Sequence, residues 1–243
     1  MGAPAATTPT LNLLLNLLCA GAAQGLVEAL QARFLAETGA SVAGRFGAVG
    51  AMKEALAAGV ACDVMVVTHA MVDSLTAAGA LRPGTSAALG RVHTGVAVRR
   101  GTPLPDVSTP QALRAALRAA DAVYFPDAER STAGIHFASV LRQLGIHDEL
   151  AARLRNFPNG ATAMRELAHA ASAHPIGCTQ VSEIRHTAGV DLVGPLPHAF
   201  ELATVYTAAL AQRATEPGLG ARFIVLLTGA ETQALRVQAG FER

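Results

Sequence analysis

Four short loops carry the residues best suited to ligand chemistry: residues 21–25, 47–50, 131–134 and 159–162. Each follows or closely trails an apolar stretch, opens a helical one, and is rich in small residues. Small side chains let a ligand approach backbone N–H groups, and the first turn of a helix presents those groups with the positive end of its dipole. Four such termini aimed at one cleft would hold an oxyanion or a carboxylate without any lysine or arginine. The contacts expected from these loops are Ala22, Ala23, Gln24, Val49, Gly50, Ser131, Thr132 and Thr162, joined by Thr68 at the end of a further strand.

Three longer polar side chains stand near these loops. His136 lies two residues past Gly134, in the first turn of a helix, where it is either a surface histidine or a group for ligand contact or proton transfer. Gln180 and Glu183 follow an apolar strand end in Thr179-Gln180-Val181-Ser182-Glu183, so both can reach a cleft. Glu183 equally suits the N-terminus of a short helix that opens after Ser182.

Other chemistries lack their signatures. No G-x-G-x-x-G or Walker loop is present, and no acidic residue closes the second strand, so no nucleotide cofactor is expected. The eight histidines are scattered, with no pair four apart on a helix, and neither Cys178 nor His186 has partners at zinc-binding spacing. No metal and no other cofactor is expected. Cys19, Cys62 and Cys178 sit in apolar surroundings and read as buried free thiols, which suits a reducing compartment. With 19 basic and 18 acidic residues, 4% aromatics and no tryptophan, the chain lacks the charge and stacking surfaces of a nucleic-acid binder.

The elements that position these loops follow from apolar runs alternating with amphipathic windows, the pattern of βαβ units. Strands are expected at 11–18, 41–46, 62–68, 89–99, 122–125, 175–181 and 190–195, with a β-rich return at 199–211. Helices are expected at 26–38, 51–58, 70–78, 111–119, 131–144, 148–154, from about 160, and at 219–227 and 230–239. Hydrophobic residues make up 51% of the 243, enough for one large or two modest cores. No stretch is apolar for long enough to span a bilayer. Residues 1–10 carry no positive charge ahead of the apolar run 11–23, so no signal peptide is read. That points to the cytoplasm, or to the periplasm if the chain is a processed mature form.

Phe46-Gly47-Ala48-Val49-Gly50-Ala51-Met52, followed by Leu56 through Ala61-Cys62-Asp63-Val64, resembles the F-x-x-S-x-x-L…I-x-x-G-x-P-A-D-V signature of the molybdate-binding protein family. Ala77-Ala78-Gly79-Ala80-Leu81, residues 176–183, and Leu227-Thr228-Gly229-Ala230-Glu231 with Gly240-Phe241 extend the likeness along nearly the whole chain. The resemblance implies an α/β, two-lobed class II periplasmic-binding-protein-like fold. Each lobe would be a mainly parallel sheet flanked by helices, with the ligand cleft between lobes. Residues 1–91 plus 201–243 would form lobe I, and 92–200 lobe II.

Family members that bind molybdate use a serine in each of the first two strand–helix turns; those positions fall near Ala22 and Val49 here, and a family tyrosine falls near Gln180. Each oxyanion oxygen left unpaired costs about 1–3 kcal/mol, so an organic carboxylate is expected ahead of molybdate. Residues 19–22, 134–137 and 179–183 are also similar to a divergent branch that includes aconitate isomerase-like proteins, cofactor-free enzymes that move a double bond in a tricarboxylate. That likeness implies Glu183 or His136 as base, with Thr132, Thr162 and helix N-termini as donors.

The function expected first is a solute-binding protein that closes on a small anion, with a transporter as partner if exported. The alternative is a cofactor-independent proton-transfer isomerase of a small polycarboxylate. A third reading, the effector-sensing half of a transcription regulator, needs a separate DNA-binding subunit. Neither nucleic acid nor membrane insertion is expected.

Overall fold

A computed structural model describes residues 13–242, so Leu11, Asn12 and the stretch read above for a leader lie outside the described residues. The chain opens with β1 (Leu13–Ala20), whose last four residues are all buried. A 3-10 turn, Gly21–Ala23, leads into α1 (Gln24–Thr38), which buries Leu26, Val27, Leu30 and Phe34. Gly39 ends that helix at φ 71°, a left-handed turn open to glycine. There follow β2 (Ala40–Gly47), α2 (Val49–Ala57), β3 (Val64–Thr68), α3 (His69–Ala77) and the long β4 (Ala87–Arg99). The second half contains α4 (Pro110–Ala119), β5 (Ala122–Pro126), α5 (Thr132–Gln143) and α6 (His147–Leu150). After these come β6 (Leu154–Phe157), α7 (Gly160–Ala168), β7 (Pro175–Gln180), α8 (Val181–His186) and β8 (Val190–Pro195). The chain returns through β9 (Ala203–Leu210) to α9 (Pro217–Thr228) and α10 (Gln233–Gln238).

One expected element divides. The helix anticipated at 148–154 stops at Leu150, passes through a 3-10 turn, and gives way to β6, parallel to β5. Leu154 and Phe157 are half-buried whereas Arg155 and Asn156 are exposed. β6 is the outer strand of the sheet, where polar side chains suit an edge.

Among the described residues nine strands form one mixed sheet in the order β2-β1-β3-β9-β4-β7-β5-β6, with β8 also on β4. Each lobe has a parallel trio, β2-β1-β3 and β6-β5-β7; the antiparallel pairs involve β4 and β9. β4 changes partners midway: His93 lies opposite Ala203 of β9, and Thr94 opposite Gln180 of β7. The hydrophobic core divides at the same place. One cluster draws on residues up to Val92 and from Tyr206 onward, with Val181; the others lie between Val96 and Leu196. Thr94 is tied to the returning chain, donating to the Leu202 carbonyl and accepting from the Leu196 N–H, both at 3.0 Å.

A buried carboxylate secures the first lobe. Asp63 accepts from the N–H and side-chain amide of Asn16 (2.8 and 3.1 Å), the N–H and hydroxyl of Thr215 (2.7 and 3.0 Å), and the Glu216 N–H (3.0 Å). It thereby joins β1 and the start of β3 to the start of α9. Burial alone would raise its pKa, but these donors hold it below the ordinary carboxylate value. Cys19, Cys62 and Cys178 are buried free thiols. No helix among the described residues is long and apolar enough to cross a membrane.

Candidate functional site

Between the two cores lies a cavity of about 10 Å³, roughly the room one water needs. Its first-lobe wall is Ala20, Gly21, Ala22, Gly47, Ala48 and Val49, with Tyr206 from β9. Its second-lobe wall is Ser131, Thr132, Asn159, Gly160, Gln180 and Glu183. The starts of α2, α5 and α7 therefore converge here, with α1 behind its 3-10 turn. No side chain caps α2 or α5, whereas Asn159 caps α7 by accepting from the Thr162 N–H at 2.8 Å. No basic side chain lines the cavity, so the positive ends of the α2 and α5 dipoles and the first-turn N–H groups other than that of Gly50 are what it offers an anion.

The walls are in contact. Gly50 donates its N–H to the Arg130 carbonyl at 3.0 Å, and the Arg130 guanidinium lies 3.4 Å from the Glu54 carboxylate. On the far side of α8, His186 approaches Glu28 of α1 to 3.2 Å. Exposed as they are, these ion pairs add little to stability.

Glu183 is the ionisable carboxyl in the cavity wall, and it is 6% exposed. The Thr179 hydroxyl donates to its Oε2 at 2.5 Å, and the backbone N–H groups of Gln180 and Ala161 also favour its charged form. It therefore supports the start of its own helix, as its position three residues past Gln180 allows, and also sits against the start of α7. Burial outweighs these donors and pushes its pKa up to about 7. Tyr206 is 2% exposed, and burial raises its phenol well above the ordinary value, with the nearby Glu183 adding to the rise.

Of the side chains singled out from sequence, Ala22, Val49, Ser131, Thr132, Gln180 and Glu183 line the cavity. Ala23, Gln24, Gly50, Thr68, Thr162 and His136 stand outside that lining. Gln24 donates to Glu28 at 2.7 Å, and Thr68 caps α3 by accepting from the Met71 N–H at 3.3 Å. The Thr162 hydroxyl accepts from Arg165 at 3.0 Å. His136 points its Nε2 at the Phe200 carbonyl, 2.8 Å away, and so braces α5 against the returning segment. With its amide nitrogen turned toward them, Gln180 donates to the carbonyls of Val92 (3.3 Å) and His93 (3.2 Å) where β4 changes lobes. Tyr206 and Thr179 were not singled out from sequence. Both lie in apolar strands; Thr179 reaches Glu183 from four residues back across the β7–α8 junction, whereas Tyr206 is brought there by tertiary pairing.

Residues 15–242 match the family described as bacterial extracellular solute-binding protein. Among curated proteins, aconitate isomerase of a Pseudomonas species is 26% identical over 159 residues, 64% of this chain. The match spans only 57% of that relative's length. Among solved structures, the Azotobacter vinelandii periplasmic molybdate-binding protein superposes with a TM-score of 0.77 at 19% identity, covering 94% of this chain and 99% of its own. The sulfate-binding protein SubI from Mycobacterium tuberculosis H37Rv gives 0.68 at 16% identity, covering 95% and 86%. At these identities the structural likeness establishes the two-lobed fold alone.

Proposed function

Because the chain belongs to the bacterial extracellular solute-binding protein family, we propose that its interlobe cleft captures a small organic carboxylate. The observation that carries this reading is the first-lobe wall. Six of its seven lining residues are Ala, Gly or Val, leaving Tyr206 as its only polar side chain. A tetrahedral oxyanion has four oxygens to satisfy and would leave some unpaired against such a wall, at about 1–3 kcal/mol each. An organic acid instead meets that wall with its carbon frame and needs only one carboxylate group, with two oxygens, placed at the starts of α2 and α5 with Ser131 and Thr132.

The cavity is too small for such a ligand as it stands, so binding begins with the lobes apart and ends with closure. Lobe I is taken as 1–91 plus 201–243 and lobe II as 92–200, hinged where β4 exchanges partners. The family description gives no support to a cytoplasmic location. The reading assigns the protein to the far side of the cytoplasmic membrane, with a transporter as partner.

The test is a thermal-shift panel of succinate, citrate, trans-aconitate, sulfate and molybdate. Stabilisation by at least one carboxylate and by neither inorganic oxyanion is expected; stabilisation by molybdate alone would overturn the reading.

A second reading rests on Glu183. A buried carboxyl that titrates near 7 suits a general base removing a proton beside a carboxylate. With His136 committed to the Phe200 carbonyl, that role falls to Glu183, with the helix starts holding the developing charge. Proton NMR of cis- and trans-aconitate with the protein tests it: interconversion that Glu183→Gln abolishes supports catalysis, and no interconversion excludes it.

A further inference from the structure

We propose that ligand capture is coupled to a proton: Glu183 enters the occupied cleft as the neutral acid and donates a hydrogen bond from Oε1 to the ligand's carboxylate. This rests on the carboxylate reading above and names the group that would fix which protonation state of the site accepts such a ligand.

The geometry begins with space. A Cβ at Gly21 would stand 2.4 Å from Glu183 Oε1, and one at Gly160 would stand 2.0 Å from Oε2. Neither glycine has a positive φ. Side chains and not the backbone therefore favour glycine here: the Glu183 carboxyl at Gly21, and the same carboxyl with the Thr179 hydroxyl at Gly160. The first wall leaves room for the carboxyl, and the start of α7 leaves room for the carboxyl and its Thr179 partner.

The two oxygens differ. Oε2 accepts from Thr179, whereas Oε1 lies on the side facing Gly21 and the first-lobe wall, which makes it the oxygen placed to present a proton to the cleft. An ionised Glu183 beside a bound carboxylate would set two negative charges in a site with no basic side chain to separate them. The neutral acid turns the same contact into a donor–acceptor pair.

The groups facing Glu183 leave the proton to it. Thr179 and Gln180 come from β7, Ala161 from α7, and Gly21 from the turn after β1. Tyr206 from β9 and Cys19 from β1 are both raised by burial far from neutrality. On its own helix, His186 is directed at Glu28. Burial lifts Glu183 itself to about 7, so its two forms are in balance near neutral pH.

Isothermal titration of the full chain with succinate and with trans-aconitate, between about pH 6 and pH 9, tests the coupling. Repeating each titration in two buffers of different ionisation enthalpy counts the protons taken up. The expected result is a Kd that rises about tenfold per pH unit above the midpoint, with one proton taken up per ligand bound. Glu183→Gln should flatten the profile. Thr179→Val removes a donor that favours the ionised form and should move the midpoint upward. A Kd independent of pH in the native chain, a slope that persists in Glu183→Gln, or a midpoint unmoved in Thr179→Val would each overturn the proposal. Failure of both carboxylates to bind at any pH would remove the carboxylate reading beneath it, whereas pH-independent binding would remove the proton coupling alone.

Discussion

Gly50 and Arg130 join the walls of the cleft by one backbone hydrogen bond, N–H to carbonyl at 3.0 Å. The Arg130 loop is itself held, because Asp127 accepts from the N–H groups of Glu129 and Arg130 at 2.8 Å each. A Cβ at Gly50 would meet the Cα, Cβ and carbonyl oxygen of Arg130, each at 3.1 Å. A side chain at residue 50 would therefore press on the Arg130 backbone where the two walls meet.

Gly50→Leu should prop the lobes apart. Small-angle scattering would report a larger radius of gyration than for the native chain, and carboxylate affinity should fall by roughly tenfold or more, because binding would then have to restore a closed state the side chain opposes. Unchanged scattering and affinity would count against closure at this contact.

Gly21 and Glu183 should be energetically coupled. Gly21→Ala forces a methyl toward Oε1 and should cost about 1–3 kcal/mol in denaturant unfolding. In a Glu183→Ala background the same change should cost less, with a coupling energy of about 0.5–3 kcal/mol. Additive losses would mean that the carboxyl does not occupy the space that glycine leaves.

Stability should carry the mark of Glu183 at neutral pH. Its carboxyl ionises at 4.5 in the unfolded chain and at about 7 when buried. Its contribution is fully present below pH 4.5 and is lost as pH rises through about 7. The loss is on the order of 3 kcal/mol. Glu183→Gln should remove that decline, as measured by unfolding midpoints across the range.

Asp63 should act in the opposite sense. Its pKa is depressed, so its contribution is present above the ordinary carboxylate pKa and lost as pH falls through the folded value. Asp63→Asn sets an amide NH2 among donors and should destabilise the chain by roughly 2–4 kcal/mol at neutral pH. The deficit should shrink in acid, where the native carboxyl is also neutral.

Most elements were legible because burial leaves its pattern on the sequence. β1 shows an apolar run interrupted only by Asn16, which is tied to Asp63, and Gly39 marks the end of α1. β6 was not legible: Leu-Arg-Asn-Phe is short, polar at its centre, and becomes a strand only beside β5. Four loops at strand ends pointed to the cleft, and parts of all four line it. What spacing could not reveal was the company each side chain keeps. His136 and Thr162 belong to the chosen helix starts, yet each turns to a partner outside the lining, at the Phe200 carbonyl and at Arg165. Tyr206 reaches Glu183 because the returning strand inserts between β3 and β4, a pairing between residues more than a hundred positions apart.

The central claim, capture of an organic carboxylate by helix starts against an apolar first-lobe wall, is tested most directly by competition calorimetry near pH 6. The full chain is titrated with trans-aconitate or succinate, then again in the presence of molybdate. The account predicts saturable one-site binding of a carboxylate that molybdate leaves unchanged. Tight molybdate binding with no carboxylate heat would contradict it.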